Sequence, residues 1–176
     1  KKIRRHRDVL NREVKGMADN FQLTGPEYAY SGGNSQYTHL AKLWADASIQ
    51  MANISRANDI RYWHFLQPNQ YHIGSKALSE EEQQVAFSDR SPFKTVVEEG
   101  YPIFISAGAA IAENNVLFHD LTPLFHAIPE SVYEDDCCHL NLRGNQILGE
   151  AIGRLIVQDL AKEPHGIGPQ AKRDGT

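Results

Sequence analysis

The sequence predicts an α/β fold built on a parallel β-sheet. An amphipathic helical pattern from Thr38 to Asn58 is followed at once by a short apolar run, Ile60 to Leu66. A second such run, Asn115 to Asp120, also comes ahead of a helical pattern. Helices that alternate with short buried strands are typical of α/β layer folds. Because a sheet usually holds about five or six strands, we expect further strands upstream of these two.

The first predicted helix has apolar side chains at spacings of three and four, which places them on one helical face. They are Leu40, Leu43, Trp44, Ala47, Met51 and Ile54. The aromatic and aliphatic run from Ile60 to Leu66 then ends at Gln67-Pro68-Asn69, where the proline stops a strand. We therefore expect a largely buried strand directly after the helix.

Two further helices are predicted between the strands. The acidic segment Ser79 to Phe87 carries Glu82 three residues after its serine, which is the spacing of a capping box. Ser91-Pro92 supplies an N-cap and a first-turn proline for a helix that reaches toward Ala112, with a candidate break at Gly100-Tyr101-Pro102. We expect both helices at the periphery of the fold.

The last predicted strand, Asn115 to Asp120, ends in polar residues, and such strand ends face the ligand crevice in open α/β sheets. The final helix is predicted from about Leu142 to Ala161, with an apolar face toward the core. We assign residues 1–163 to one domain. Residues 164–176 are rich in glycine, proline and charge, so we expect a flexible tail there.

The composition argues against some classes of partner. A formal net charge of -4 gives no overall attraction for polyanions, so nucleic acid is not an expected partner. No segment approaches the ~18 uninterrupted apolar residues of a membrane span, so no transmembrane span is expected in this chain. The basic run from Lys1 to Arg7 is interpreted as a solvated helix face or chain end. Nothing in the sequence calls for a cofactor.

The chemically informative stretch is Asp136-Cys137-Cys138-His139, between a proline-bounded loop and the last helix. An Asp three residues before a His can bend back so that its carboxylate meets the imidazole N–H and fixes the tautomer. A serine hydroxyl needs such a base to take its proton when it attacks an ester. Asp136 and His139 therefore fit the roles of orienting carboxylate and general base. Since Asp-x-x-His often arises by chance, the interpretation depends on the surrounding sequence.

This surrounding sequence resembles the C-terminal block of the SGNH/GDSL hydrolases, where Asp-x-x-His precedes a polar residue, a glycine and the closing helix. In this chain Gly144-Asn145 follow the motif. Upstream, Trp63 to Pro68 resembles the family's strand that ends in a Gln-Pro turn, and Phe118 to Thr122 resembles its strand and turn before the catalytic loop. The resemblance covers the chain from about Leu40 to Leu160.

The resemblance implies a three-layer α/β/α flavodoxin-like sandwich with a parallel sheet, of which this chain carries the C-terminal part. It also implies hydrolysis of an acyl or acetyl ester on a lipid, carbohydrate or small molecule, by a serine that His139 activates. The family's nucleophile lies in a Gly-Asp-Ser block and an oxyanion-hole Asn in a Gly-x-Asn-Asp block. Neither block has a match, because Asn34 lacks the following Asp, and Ser31 and Ser35 follow no predicted strand. We expect these parts upstream of the chain.

Two other interpretations stay open. The chain fits a non-catalytic remnant or interaction module with the same half-fold, because the serine block is missing. The side chains of 135–139 also suit zinc, although the usual spacing of paired cysteines and a second ligand cluster are absent from the sequence. We expect Cys137 and Cys138 as free thiols, because neighbouring Cα atoms are ~3.8 Å apart and ordinary disulfides begin near ~4.4 Å.

Positional reasoning adds substrate-binding candidates. Gln67, Asn69 and Tyr71 come just after a predicted strand end, where side chains line the crevice of α/β sheets. His64 and His119 lie on the predicted strands themselves, and we interpret them as core or strand-end residues rather than catalytic ones.

Overall fold

The computed structural model describes residues 34–162. The chain divides into two units, Lys1–Ser35 and Gln36–Thr176, and nearly all of the described residues belong to the second. The elements in chain order are α1 (Ser35–Ala57), β1 (Trp63–Leu66), α2 (Glu80–Ala86), α3 (Pro92–Glu113), β2 (Leu117–Asp120) and α4 (Leu142–Lys162). The predicted flexible tail, 164–176, lies outside the described residues.

The two strands pair in parallel, in a register that runs from Trp63 opposite Leu117 to Leu66 opposite Asp120. The N–H of Leu121 extends this ladder, because it donates to the carbonyl oxygen of Leu66 at 2.9 Å. Parallel neighbours need a crossover connection, which α2 and α3 provide. The predicted α/β class, with a parallel sheet, is therefore confirmed for the described part of the chain, where the sheet has two strands.

Helices contact both faces of this strand pair. Consecutive residues of a strand point to opposite faces, and side chains of β1 contact a helix on each face. On one face, Nδ1 of His64 lies 2.6 Å from the hydroxyl of Ser48 on α1. On the other face, the indole N–H of Trp63 donates to the carboxylate of Asp159 on α4 at 3.2 Å. The sheet thus separates α1 from α4.

The apolar core forms two clusters in the described residues. The first lies under the loops that follow the strands and comprises Ala86, Phe125, Val132, Tyr133 and Ile147. The second joins α1 to α3 and to the start of β2, and it comprises Ala45, Ala52, Ile111 and Val116. The first cluster therefore supports the loop that carries the candidate catalytic residues, and the second holds the sheet.

The buried face of α1 differs from the predicted one. The helix buries a row of small side chains, Ala41, Ala45, Ser48 and Ala52. Four of the predicted inward residues are between 40% and 64% exposed, namely Leu40, Leu43, Met51 and Ile54. The helix has apolar side chains on both faces, and the face with small residues is the one that can approach the strands closely. The larger residues therefore form an apolar row that stays 40–64% exposed.

The helices between the strands follow the sequence in part. Ser79 caps α2, because its hydroxyl accepts the N–H of Glu82 at 3.2 Å, as the predicted capping box requires. The Glu82 side chain does not complete the box, since it is fully buried in the core. Ser91 and proline at the first turn begin α3 as predicted, but the helix continues through Pro102 without a break. Buried contacts at Ile111 and elsewhere along α3 hold the helix on both sides of the proline.

Candidate active site

The Asp136-to-His139 motif lies on a closed loop between the strands and α4. An isolated antiparallel bridge joins Tyr133 to Leu140 at its base. Within the loop, the N–H of Glu134 donates to the carbonyl oxygen of His139 at 3.0 Å. At the end of the loop, the Asn141 carboxamide oxygen accepts the N–H of Gly144 at 2.9 Å, in the first turn of α4. The loop therefore has a fixed base from which its polar residues project.

The carboxylate that meets His139 belongs to Asp135. Nδ1 of His139 lies 2.5 Å from Oδ2 of Asp135. The other oxygen, Oδ1, accepts the backbone N–H of Cys137 at 2.9 Å and that of His139 at 3.2 Å. The sequence predicted this pairing for Asp136, and the structure corrects it by one residue. The physical reason is the turn, which wraps the Cys137 and His139 amides around the Asp135 side chain.

Asp136 is held through its backbone instead. Its carbonyl oxygen accepts the hydroxyl of Tyr71 at 3.1 Å and that of Ser91 at 3.2 Å. The residue is half-buried beside the His139 pair. The structure therefore brings both predicted catalytic residues onto one loop but gives the hydrogen bond to the imidazole to the neighbouring carboxylate.

The contact between Asp135 and His139 shifts the pKa of both side chains. The hydrogen bond that Asp135 accepts from the imidazole and the negative charge of Asp135 raise the pKa of His139 above the usual value, and Glu134 adds to this effect. The same hydrogen bond, with those from the Cys137 and His139 amides, lowers the pKa of Asp135. Because the carboxylate is ionised and can only accept, the imidazole places its proton on Nδ1. The lone pair on Nε2 is then available as a base, and 65% of the ring is exposed.

The loop also carries two thiols. Cys137 and Cys138 are free, as the sequence predicted, and both are half-buried. Burial raises the pKa of Cys138, and the neighbouring Cys137 and the charge of Asp135 raise it further. A thiol is a strong nucleophile only as the thiolate. The raised pKa therefore makes Cys138 a poorer candidate nucleophile than an ordinary thiol. Its φ of 110° lies in the left-handed region.

The three predicted substrate-binding residues fall into two groups. Gln67 is exposed just beyond β1, so its role in substrate binding stays a prediction. Asn69 and Tyr71 are 4% and 3% exposed. The Asn69 carboxamide oxygen accepts the N–H of Tyr71 at 3.0 Å, and the Tyr71 hydroxyl is used in the loop. These two side chains therefore brace the protein interior, and their buried position leaves little surface for a substrate.

The strand histidines serve as the sequence predicted. His64 contacts Ser48 at 2.6 Å, and burial lowers the pKa of His64. Ser48 is only 1% exposed, so this serine–histidine contact has no access for a substrate. Nε2 of His119 lies 2.7 Å from the Asp159 carboxylate of α4. Both histidines are satisfied residues of the helix–sheet interfaces.

Sequence reasoning missed the residues that hold the loop from behind. Buried Gln70 donates to the carbonyl oxygen of Asp135 at 3.0 Å. Buried Glu82 accepts the N–H groups of Val132 and Tyr133, at 2.7 and 2.9 Å, just ahead of the loop. The only signal for Glu82 was its place in the capping box, which pointed to the wrong partner. Nothing in the sequence near Gln70 indicated its partner, because the two segments are 65 residues apart.

The described residues contain neither a metal-ligand cluster nor a membrane-spanning helix. Within 34–162, no three His, Cys, Asp or Glu side chains converge as metal ligands would. None of the helices in that range is long and apolar enough to cross a bilayer. No protein-family model, curated protein or solved structure matches the chain.

Proposed function

We propose that this chain supplies the base of a serine-type ester hydrolase. The observation that carries the proposal is the Asp135–His139 pair, with Nδ1 bound to the carboxylate and the imidazole side chain 65% exposed. A serine that attacks an ester must lose its proton, and a neutral imidazole oriented by a carboxylate accepts it and later returns it to the leaving alcohol. His139 is the base, and Asp135 fixes its tautomer and stabilises the imidazolium.

The position of the pair in the fold supports this assignment. The loop is bonded to the segment that directly follows β1, through Gln70 and Tyr71. His139 therefore belongs to the carboxyl edge of the parallel strands, where α/β sheets bind their ligands. Helices on both faces of the strand pair are consistent with the rear half of a three-layer flavodoxin-like sandwich of the SGNH/GDSL type. By that resemblance the substrate is an acyl or acetyl ester of a lipid, carbohydrate or small molecule.

The proposal assigns the nucleophile and the oxyanion donors to residues outside 34–162. Within that range no serine hydroxyl is hydrogen-bonded to His139, and burial raises the pKa of the neighbouring Cys138 thiol. A hydroxyl nucleophile brought to Nε2 would complete the constellation. The imidazole is exposed enough to receive it.

The second candidate is a non-catalytic interaction module with the same half-fold. Two observations favour it, namely the lack of a serine at His139 within the described residues and the partly exposed apolar row on α1. An inactive protein would keep the loop for its shape and use the apolar row to bind a partner. The two candidates differ in whether the protein reacts with reagents that label activated serines.

The test uses the protein as its source cell produces it. We expect hydrolysis of p-nitrophenyl acetate, labelling of one serine by a fluorophosphonate, and loss of both in His139→Ala. A loss of about 10³-fold or more in kcat is expected when a triad base is removed. His64→Ala is the control variant, because it removes a histidine of the helix–sheet interface instead of the loop. Circular dichroism checks that both variants are folded. Full activity in folded His139→Ala refutes the proposal, and an unlabelled, inactive natural protein favours the interaction module.

A further inference from the structure

The backbone carbonyl groups of Asp135 and Asp136 accept hydrogen bonds from side chains of the protein interior. Two consecutive carbonyl oxygens, those of Asp135 and Asp136, accept hydrogen bonds from three side chains outside the loop. The donors are Gln70, Tyr71 and Ser91, from the segment after β1 and the N-cap of α3. All three are at least nine-tenths buried. With its carbonyl groups fixed inward, the loop has little freedom in where it presents the Asp135 carboxylate.

Gln70 makes the most constrained of these contacts. Its amide nitrogen donates to the carbonyl oxygen of Ala86 at 3.1 Å and to that of Asp135 at 3.0 Å. Two acceptors at one end of the side chain fix the orientation of the amide, because a flipped group would set oxygen against oxygen. The side chain is 5% exposed. Gln70 therefore ties the loop to the end of α2 through a buried bridge of one defined orientation.

Tyr71 forms a second bridge to the neighbouring residue. Its hydroxyl donates to the carbonyl oxygen of Asp136 and accepts the N–H of Ser88 at 3.2 Å. The same carbonyl oxygen of Asp136 also accepts the hydroxyl of Ser91. Both partners of Tyr71 are backbone groups, and the ring is 3% exposed. The tyrosine thus spans the loop and the α2–α3 connection without reaching solvent.

We propose that Gln70 and Tyr71 are positioning residues for the His139 base, acting through the carbonyl oxygens of Asp135 and Asp136. This inference rests on the proposed function for its catalytic meaning, but the contacts it concerns exist whether or not the protein hydrolyses esters. Neither residue touches the imidazole. Each holds a backbone group whose position sets where the Asp135 carboxylate meets Nδ1.

The test is the titration of the His139 ring by NMR, which needs no turnover. His139→Ala assigns the signal among the eight histidines. Asp135 and Glu134 are the charged groups that act on the ring, and both remain in every variant. We expect Gln70→Met, which keeps the length of the side chain but not its donor, to move the midpoint down toward ~6.5. Tyr71→Phe should give a smaller change in the same direction, because Ser91 still holds the Asp136 carbonyl.

Tyr62→Phe is the matched control. It also removes a hydroxyl with a hydrogen-bond partner, Ser48 at 3.4 Å, but it lies in the other core cluster. We expect it to leave the His139 midpoint unchanged. If Gln70→Met and Tyr71→Phe lower the melting temperature while the midpoint stays in place, the residues are merely structural and the inference is overturned.

Kinetics separate this inference from the proposed function. In an active protein, Gln70→Met should lower kcat by about 10- to 100-fold, as expected for a misplaced catalytic group, with little change in KM. The acid limb of the pH–rate profile should move down with the NMR midpoint. A midpoint that moves in a protein without esterase activity supports the positioning role and refutes the hydrolase. An active Gln70→Met variant whose kcat and midpoint both match the wild type overturns the positioning role alone.

Discussion

Replacing Glu82 with Gln should destabilise the fold strongly, because it breaks a buried ion pair. Glu82 Oε2 lies 3.0 Å from Nζ of Lys76, and both side chains are fully buried. Removing one partner of such a pair costs about 3–5 kcal/mol, because the other charge stays buried without compensation. Gln keeps an oxygen that can accept the Val132 and Tyr133 N–H groups. The predicted loss is therefore due to the charge.

Urea unfolding followed by circular dichroism measures this loss. With a slope of about 2 kcal/mol per molar urea, a change of 3–5 kcal/mol lowers the midpoint by roughly 1.5–2.5 M. The double variant Lys76→Met with Glu82→Gln is the matched control, because it removes both charges and keeps the acceptor. We expect it to recover most of the loss. If Glu82→Gln alone unfolds within ~0.5 M of the wild type, the pair is no stronger than a surface contact and the prediction is wrong.

Three further outcomes follow from single contacts. Gly144→Ala should destabilise the fold by several kcal/mol, since a Cβ there would lie 2.6 Å from the carbonyl oxygen of Val132. Gly149 has open space around it, so Gly149→Ala should stabilise α4 by about 1 kcal/mol. Thermal melting measures both changes. Asp159→Asn should lower the free energy of unfolding by about 2–3 kcal/mol at neutral pH. Burial opposes the charge of Asp159, but its hydrogen bonds to the strands and to α4 outweigh burial and lower the pKa of the carboxyl group. The wild type should therefore lose this stability as the pH falls below about 4. Cys138→Ala should change stability by about 1 kcal/mol and retain esterase activity, and complete loss of activity in a folded variant would point to a thiol mechanism.

The sequence predicted what depends on local pattern. The run at Trp63–Leu66 and the last helix appear where apolar periodicity and proline placed them. The prediction of which face of α1 is buried was wrong. Periodicity indicates that a helix has an apolar stripe, but not which stripe its neighbours can approach. Small residues such as Ala45 occupy the buried face because they allow close packing.

The candidate site was predictable as a segment but not as a geometry. The Asp-x-x-His spacing pointed to His139 and to the loop in which the structure pairs this histidine with a carboxylate. It could not distinguish Asp135 from Asp136, because the choice depends on how the turn wraps the amides of Cys137 and His139 around one carboxylate. The supports at Gln70 and Tyr71 are set by contacts between distant segments, which no local pattern encodes.

Whether Asp135 orients His139 as a general base is decided by comparing Asp135→Asn with Asp136→Asn. The measurement is kcat/KM against pH for ester hydrolysis by the natural protein. In the wild type, activity should rise through the raised pKa of His139 as the pH increases, because the base works only when neutral. Asp135→Asn should lose activity by up to about 10⁴-fold and move the acid limb to lower pH, while Asp136→Asn retains the limb. The opposite result, with the severe loss and the moved limb in Asp136→Asn, would make Asp136 the orienting carboxylate and the assignment to Asp135 wrong.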